Sequence, residues 1–243
     1  MPVKLSIPIL NKLVPGGVEY GQVLLVVYEP DSVWYDTSLT IAALALKDGI
    51  RVEYHTYEHI PSEVRLSLSR LGREVQKLEE EDRLRIHDSY TGQTGLGQSE
   101  TLAKSKVPIQ PLKLSESSIE FAQHIKAGIP EQDRKLLHID DNMGILLQYN
   151  DEKTVINFGR TRMVPWARAR ETTYLIPILS KVASDAFYQQ IGSYFDGIID
   201  FKGEEIEGLI QQFCRIRNMR GQSCDSRWHR LKRMDNGEVT IAD

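Results

Sequence analysis

Residues 23–49 read VLLVVYEPDSVWYDTSLTIAALALKDG, and this stretch decides the fold class of the chain. The continuous apolar run Val23–Tyr28 is typical of a strand that is buried on both faces of a parallel sheet. The apolar residues that follow keep the i, i+3, i+4, i+7 spacing of one helix face, and they are Leu39, Ala42, Ala43 and Leu46. Because Gly49 then favours a helix stop, the stretch predicts a strand followed by an amphipathic helix, the basic unit of an α/β fold.

The same alternation of strand and helix patterns continues along the chain. Further strands are predicted at Val52–Thr56, Leu84–His87, Leu136–Asp140 and Thr173–Leu179. Further helices are predicted after Pro61, from Ser115 to Lys126 and from about Met163 to Arg170, and Gly92–Lys113 has the composition of a loop. Since crossovers between parallel strands are right-handed, this order predicts a mostly parallel sheet with helices on both faces.

The C-terminal part of the chain has a different pattern. Ile198–Lys202 and Leu209–Arg217 predict an antiparallel hairpin, and Glu238–Ile241 predicts a last strand. The sequence contains no internal repeat and no second apolar core. We therefore expect one α/β domain over residues 1–243, with antiparallel strands at its C-terminal edge.

The composition is that of an ordinary globular protein. The 243 residues are 41% hydrophobic and 26% charged, with a formal net charge of −4, which disfavours disorder and a protein that coats nucleic acid. Two cysteines, Cys214 and Cys224, are too few for a disulfide framework or for a zinc site of their own. Because no apolar run approaches the ~18 residues of a membrane span and the N-terminus is not a signal peptide, we expect a soluble cytoplasmic protein without membrane contact.

The loop within Tyr28–Thr37 lies where parallel α/β proteins bind phosphates. A P-loop needs Gly-x-x-x-x-Gly-Lys-Ser/Thr, because its glycines let backbone N–H groups surround the phosphates while the lysine neutralises them and the hydroxyl holds magnesium. This loop has no glycine and no lysine, and it carries Glu29, Asp31 and Asp36. Since two like charges about 4 Å apart repel by about 4 kcal/mol at an effective dielectric near 20, we expect no nucleotide here.

Six segments follow one another in a characteristic order. They are the Gly-Gly turn in Leu13–Val23, then Thr56–His59, Leu136–Asp140, Phe195–Ile199, Arg217–Gly221 and His229. In this order they resemble motifs of KaiC-like and RadA-like members of the RecA superfamily, over roughly Leu13 to Ile241. The resemblance implies a RecA/KaiC-like fold, whereas the degenerate P-loop argues against carrying over ATP hydrolysis.

The resemblance also implies roles for single residues. Glu58 falls at a catalytic carboxylate of the family and Asp140 at its magnesium-side aspartate, and without a P-loop we interpret both as remnants. His59 stands where the family has a second glutamate, and Asn218 where it has a lysine.

Arg217 and Arg220 lie in a segment that resembles a family motif, and in the family this motif faces the nucleotide of the neighbouring subunit. A subunit can lose its own P-loop and keep this arginine contact, which acts in trans. We therefore expect a protein partner or a paralogous subunit, in an oligomer, against Arg217 and Arg220.

Two other groups of residues are weaker candidates for an ion site. Asp140 and Asp141 are adjacent, but a magnesium ion would have few ligands there without a triphosphate. His55 and His59 are four residues apart, yet His55 lies in a predicted strand, so the helical spacing of a zinc pair does not apply. We expect no metal and no cofactor.

Basic residues are concentrated in two segments. Arg215–Arg233 contains seven Lys or Arg residues and one acidic residue, Asp225, and a second cluster around Trp166 consists of Arg160, Arg162, Arg168 and Arg170. Basic residues interleaved with tryptophan can bind nucleic acid through phosphate contacts and stacking. A solvated surface or a subunit contact is the preferred interpretation, and nucleic acid is the second choice.

These observations lead to a functional hypothesis with two alternatives. The preferred one is a non-catalytic KaiC-like pseudo-ATPase that acts as a binding or regulatory module, so we expect no enzyme activity. The first alternative is a RadA-paralogue-like DNA-binding factor in recombination or repair. The second is an ATPase with an unorthodox loop, which would need backbone donors that Pro30 cannot supply.

Overall fold

The computed structural model describes residues 4–5, 7–90, 114 and 133–242, and within them it forms a two-stranded and a nine-stranded sheet. The small antiparallel sheet pairs β1 (Lys4–Leu5) with β2 (Val18–Glu19). The strands of the large sheet are β3 (Val23–Tyr28), β4 (Arg51–Thr56), β5 (Leu84–Asp88), β6 (Leu136–Asp140), β7 (Thr173–Leu179), β8 (Gly197–Ile206), β9 (Leu209–Met219), β10 (His229–Arg233) and β11 (Val239–Ile241).

The large sheet has the strand order β11-β10-β9-β8-β3-β7-β6-β4-β5. From β8 to β5 every neighbouring pair is parallel, whereas β8–β9, β9–β10 and β10–β11 are antiparallel. This confirms the predicted α/β fold, a mostly parallel sheet with antiparallel strands at the C-terminal edge. It also places β3 at the centre of the sheet, so the loop after β3 lies among the carboxyl ends of the parallel strands.

Helices cover both faces of the sheet. On one face lie α1 (Pro8–Leu13), α2 (Trp34–Lys47), α3 (Pro61–Arg70) and α4 (Val75–Glu80). On the other lie a 3₁₀ segment (Met143–Gln148), α5 (Glu152–Phe158), a π turn (Gly159–Met163), α6 (Val164–Arg170) and α7 (Asp185–Tyr194). Each set packs into its own apolar cluster, because successive side chains of a strand point to opposite faces. In β3, Leu24 and Val26 join the first cluster, and Val23 and Leu25 join the second.

Most predicted elements agree with the structure to within a few residues. Leu136–Asp140 and Thr173–Leu179 have the predicted bounds, and the C-terminal hairpin is present but longer than predicted. The apolar patterns do not predict α7, which buries only two large apolar residues, Phe187 and Ile191. The predicted helix at Ser115–Lys126 and loop at Gly92–Lys113 lie outside the described residues. Among the described helices, none combines the length and apolar character needed to cross a membrane.

Candidate functional site

Three backbone N–H groups of the loop between β3 and α2 donate hydrogen bonds to acceptors within the protein. Glu29 donates its N–H to the carbonyl of Phe201 (3.1 Å), and Ser32 donates its N–H to the carbonyl of Glu29 (3.0 Å). The N–H of Val33 donates to Oε1 of Gln212 (3.0 Å), and Pro30 has no N–H to offer. These backbone donors, which a phosphate-binding loop would turn toward its ligand, are therefore directed at the protein itself.

The first residue of α2 is a tryptophan that is buried in the apolar core. Trp34 is 1% exposed, packs edge-on against Phe201 with ring centroids 5.3 Å apart, and donates Nε1–H to the carbonyl of Asp141 (3.2 Å). In a P-loop, the lysine and the hydroxyl that act on phosphate stand where the loop enters the helix. Here Trp34 and Tyr35 stand at the start of the helix. The ring of Tyr35 stacks on that of His59, with the ring centroids 3.6 Å apart.

Asp141 organises the segment that follows β4. Its carboxylate accepts the N–H groups of Tyr57 (2.7 Å), Glu58 (3.1 Å) and His59 (3.1 Å), and it also contacts Nδ1 of His59. The exposed Glu58 accepts a hydrogen bond from Nδ2 of Asn142 (2.6 Å). The structure therefore brings Glu58 close to Asp141, the neighbour of Asp140.

Asp140 lies on the face of the sheet that α5 and α6 cover, in a row of polar side chains. Parallel pairing places His55 beside His87 on one side and beside Asp140 on the other. A second row, two residues earlier in each strand, aligns Glu53 with Arg85 and with His138. The two rows form a polar surface within an otherwise apolar sheet.

His138 lies between two carboxylates. Its Nδ1 is 3.1 Å from Oε2 of Glu53, and its Nε2 is 3.1 Å from Oδ1 of Asp140. Burial lowers the pKa of His138, but Asp140 and Glu53 more than offset it and raise the pKa to about 9. Burial raises the pKa of Asp140, yet the charge and the hydrogen bond of His138 hold that pKa well below its usual range.

Glu53 connects this histidine to two arginines. Its carboxylate accepts hydrogen bonds from Arg170 (2.8 Å) and from Arg85 (3.3 Å). Despite its burial, the hydrogen bond to His138 and the charge of Arg170 hold the pKa of Glu53 well below its usual range. The carboxylate of Glu53 is thus ionised and fixed in position at neutral pH.

His87 differs from the other histidines of the cluster because neither of its ring nitrogens has a hydrogen-bond partner in the described part of the chain. It is 8% exposed, and its ring centroid lies 5.6 Å from that of His55 and 6.0 Å from that of His138. Burial lowers the pKa of His87 to about 3, so its imidazole is neutral.

A cavity of about 320 Å³ opens between these polar rows and the helices. Its polar wall is formed by Glu53, Asp140, Arg170, Tyr174 and the three histidines, and its opposite wall includes Met143, Phe158, Met163 and Trp166. A concave, mostly apolar space with a few converging polar groups is the usual form of a small-ligand site.

The predicted basic cluster divides between the protein surface and this cavity. Arg160 is exposed and Arg162 lines the cavity, whereas Arg168 forms an ion pair with Asp196 at 2.5 Å. Arg170 is 7% exposed and paired with Glu53, which corrects its assignment as a nucleic-acid contact, because its guanidinium is covered by protein.

The two arginines predicted to face a neighbouring subunit are exposed in this chain. Arg217 shares the carboxylate of Asp200 with Arg215, and Arg220 donates to the carbonyl of Ser193 (2.6 Å). Arg217 also lines a second cavity, of about 550 Å³, beside Lys181 and Asp185.

The polar rows are not among the sites that the sequence patterns predict. The spacing of four residues pairs His55 with His59, but His59 lies against Tyr35 and Asp141, and Glu53, His87 and His138 belong to no predicted site. The available signal was strand alternation: β4, β5 and β6 each carry two polar residues two positions apart, although strands inside a parallel sheet are normally apolar on both faces.

Comparison with known proteins finds relatives along the whole chain. A family model described as "ATPase: KaiC" matches residues 3–243. A UPF0273 protein of Thermotoga maritima is 24% identical over 237 residues, which cover 98% of this chain and 94% of that protein. A solved structure of a KaiC-like protein from Pyrococcus horikoshii OT3 matches with a TM-score of 0.70 at 14% identity, over 100% of this chain and 99% of the other.

Proposed function

This chain belongs to the KaiC family of ATPases, and from that premise we propose that it is a non-catalytic member, a cytoplasmic pseudo-ATPase that works as a binding or regulatory module. The observation that carries the proposal is the closed loop between β3 and α2. Its backbone donors Glu29, Ser32 and Val33 bond to the protein, and Trp34 fills the place where a P-loop lysine would stand. To bind a triphosphate, the chain would have to break these contacts and bring phosphate close to Glu29 and Asp31.

A titration of the full chain with Mg-ATP tests this proposal. Ligand at a hundred times its dissociation constant stabilises a protein by about 2.7 kcal/mol, which thermal denaturation detects easily. We expect no shift of the midpoint at millimolar Mg-ATP and no hydrolysis above that of Glu58→Gln, a variant without the inherited carboxylate. A reproducible shift, or hydrolysis that Glu58→Gln abolishes, would show a working nucleotide site and refute the proposal.

The same proposal includes assembly with an active KaiC-like subunit. Arg217 and Arg220 support it. Both are exposed, Arg217 lines the second cavity, and Arg220 donates to Ser193, another residue of that cavity, while the chain's own loop lacks the features of a P-loop. An arginine supplied in trans stabilises the charge of phosphoryl transfer and changes the rate by orders of magnitude.

Mixing this protein with an active paralogue from the same cell tests the contact. We expect the ATPase rate of the paralogue to change, and we expect Arg220→Ala to remove that change. Arg227→Ala, which alters an exposed arginine paired with Asp225, is the matched control. A rate change that Arg220→Ala leaves intact would exclude the arginine contact.

DNA binding ranks second. Arg168 and Arg170 are paired with carboxylates, and so are Arg215, Arg217, Arg227 and Arg233, which lowers the positive charge available for phosphate contacts.

A further inference from the structure

The two polar rows place two imidazoles and a carboxylate of β4 and β6 around one point. One nitrogen each of His55 and His138 and one oxygen of Asp140 all lie within 4.8 Å of one another. His55 Nδ1 is 3.4 Å and His138 Nε2 is 3.1 Å from Oδ1 of Asp140. Zinc bonds of about 2.0–2.1 Å in tetrahedral geometry set neighbouring ligand atoms about 3.3 Å apart, so two of the three spacings already match.

Each of these histidines is oriented by a partner on its other nitrogen. Nδ1 of His138 contacts the carboxylate of Glu53, which is itself held by Arg170 and Arg85. Nε2 of His55 lies 2.7 Å from the hydroxyl of Ser89. Metal-binding histidines characteristically use the second nitrogen in this way, since a carboxylate or hydroxyl partner fixes the tautomer and the ring orientation.

His87 supplies an independent observation. Among the described residues, neither ring nitrogen of this buried imidazole has a hydrogen-bond partner, and leaving a buried polar group without one is unfavourable. Its ring centroid lies 5.6 Å from that of His55 and 6.0 Å from that of His138, so its ring stands beside the three ligand atoms without belonging to their group.

The ligand types determine the class of ion. Three imidazoles and one carboxylate suit zinc and similar divalent transition metals, whereas magnesium and calcium prefer oxygen ligands. All four residues are buried, and they line a cavity of about 320 Å³ that has room for a small ligand. We propose that His55, His138 and Asp140 bind a zinc-class divalent ion on this face of the sheet, and that the side chain of His87 turns toward the ion to become its fourth ligand.

Titration of the metal-depleted full chain with Co²⁺ and Zn²⁺ tests the proposal. We expect one equivalent of Co²⁺ to bind with the visible absorption of a four-coordinate site, Zn²⁺ to displace it, and Mg²⁺ in hundredfold excess to leave it unchanged. Single replacements of the four ligands by asparagine should each weaken binding by at least about tenfold, since even loss of an outer partner costs that much. His59→Asn, which removes a histidine outside the cavity, should bind like the wild type.

A second measurement on the wild type keeps the test decisive if a ligand variant does not fold. X-ray absorption at the zinc edge should count three imidazoles and one further nitrogen or oxygen ligand, with no sulfur. The proposal is overturned by the absence of stoichiometric binding, by sulfur ligation, by fewer than three imidazoles, or by affinity that survives His55→Asn or His87→Asn. Because neither readout involves ATP, its outcome is independent of the proposed loss of ATPase activity.

Discussion

The loop after β3 and the polar face of β4, β5 and β6 are two regions of one sheet that differ in whether their polar groups have hydrogen-bond partners within the protein. In the loop, the N–H groups of Glu29, Ser32 and Val33 each have a partner within the protein, and Trp34 fills the adjacent space. On the polar face, His87 has none in the part of the chain that the structure describes, and a cavity lies beside it. Backbone donors that already bond within the protein are not available to a ligand, whereas a buried group kept without a partner indicates a ligand.

The largest expected effect is a difference in the loss of stability when one carboxylate is removed from each region. Glu53→Ala leaves the guanidinium of Arg170 buried without its counter-charge, and removal of one partner from a buried ion pair costs about 3–5 kcal/mol. Glu29→Ala removes an exposed carboxylate and should change stability by no more than about 0.5 kcal/mol. Urea denaturation of both variants at neutral pH measures the contrast. Equal losses of unfolding free energy would mean that the buried ion pair of Glu53 contributes no more to stability than an exposed carboxylate of the loop.

A smaller effect concerns the pH dependence of the polar face in the presence of a chelator. The pKa of His87 is about 3 in the folded chain and about 6.5 when unfolded, so below pH 6.5 the unfolded chain binds a proton that the folded chain excludes. The wild type should therefore lose about 2 kcal/mol between pH 7 and pH 5 relative to His87→Asn, which has no such proton.

Urea denaturation at the two pH values gives this difference directly. His59→Asn retains His87 and controls for the loss of one imidazole elsewhere. A wild type and a His87→Asn variant with parallel pH profiles would show that His87 takes up its proton as readily in the folded chain as in the unfolded one.

The fold followed from the sequence because its signals are local. A continuous apolar run such as Val23–Tyr28 and the helical spacing from Leu39 to Leu46 each specify an element without reference to the rest of the chain. Two of the elements that the patterns missed carry few large apolar residues: α7 buries Phe187 and Ile191, and β10 buries only Leu231. Tertiary contacts, rather than local spacing, stabilise these two elements.

The polar face did not follow from the sequence because its residues come from separate strands. His55, His87 and His138 are more than thirty residues apart along the chain, and strand order alone brings them together. The loop was the opposite case, since the absence of glycine and lysine in one short segment is visible in the sequence itself. What the sequence could not supply there is the identity of the replacement contacts, such as Val33 with Gln212.

The alternation of side chains along β4 has a consequence for how this protein can evolve. Val52 and Tyr54 pack in the core on one face, while Glu53 and His55 hold the polar cluster on the other. Selection therefore acts on two interleaved sets of positions, one constrained by core packing and the other by the polar cluster. Substitutions can accumulate within either set, but a single-codon insertion or deletion inside the strand exchanges the sets, because a shift of one residue turns every side chain to the opposite face. Descendants of this gene should vary in length in their loops and hold β4 at constant length.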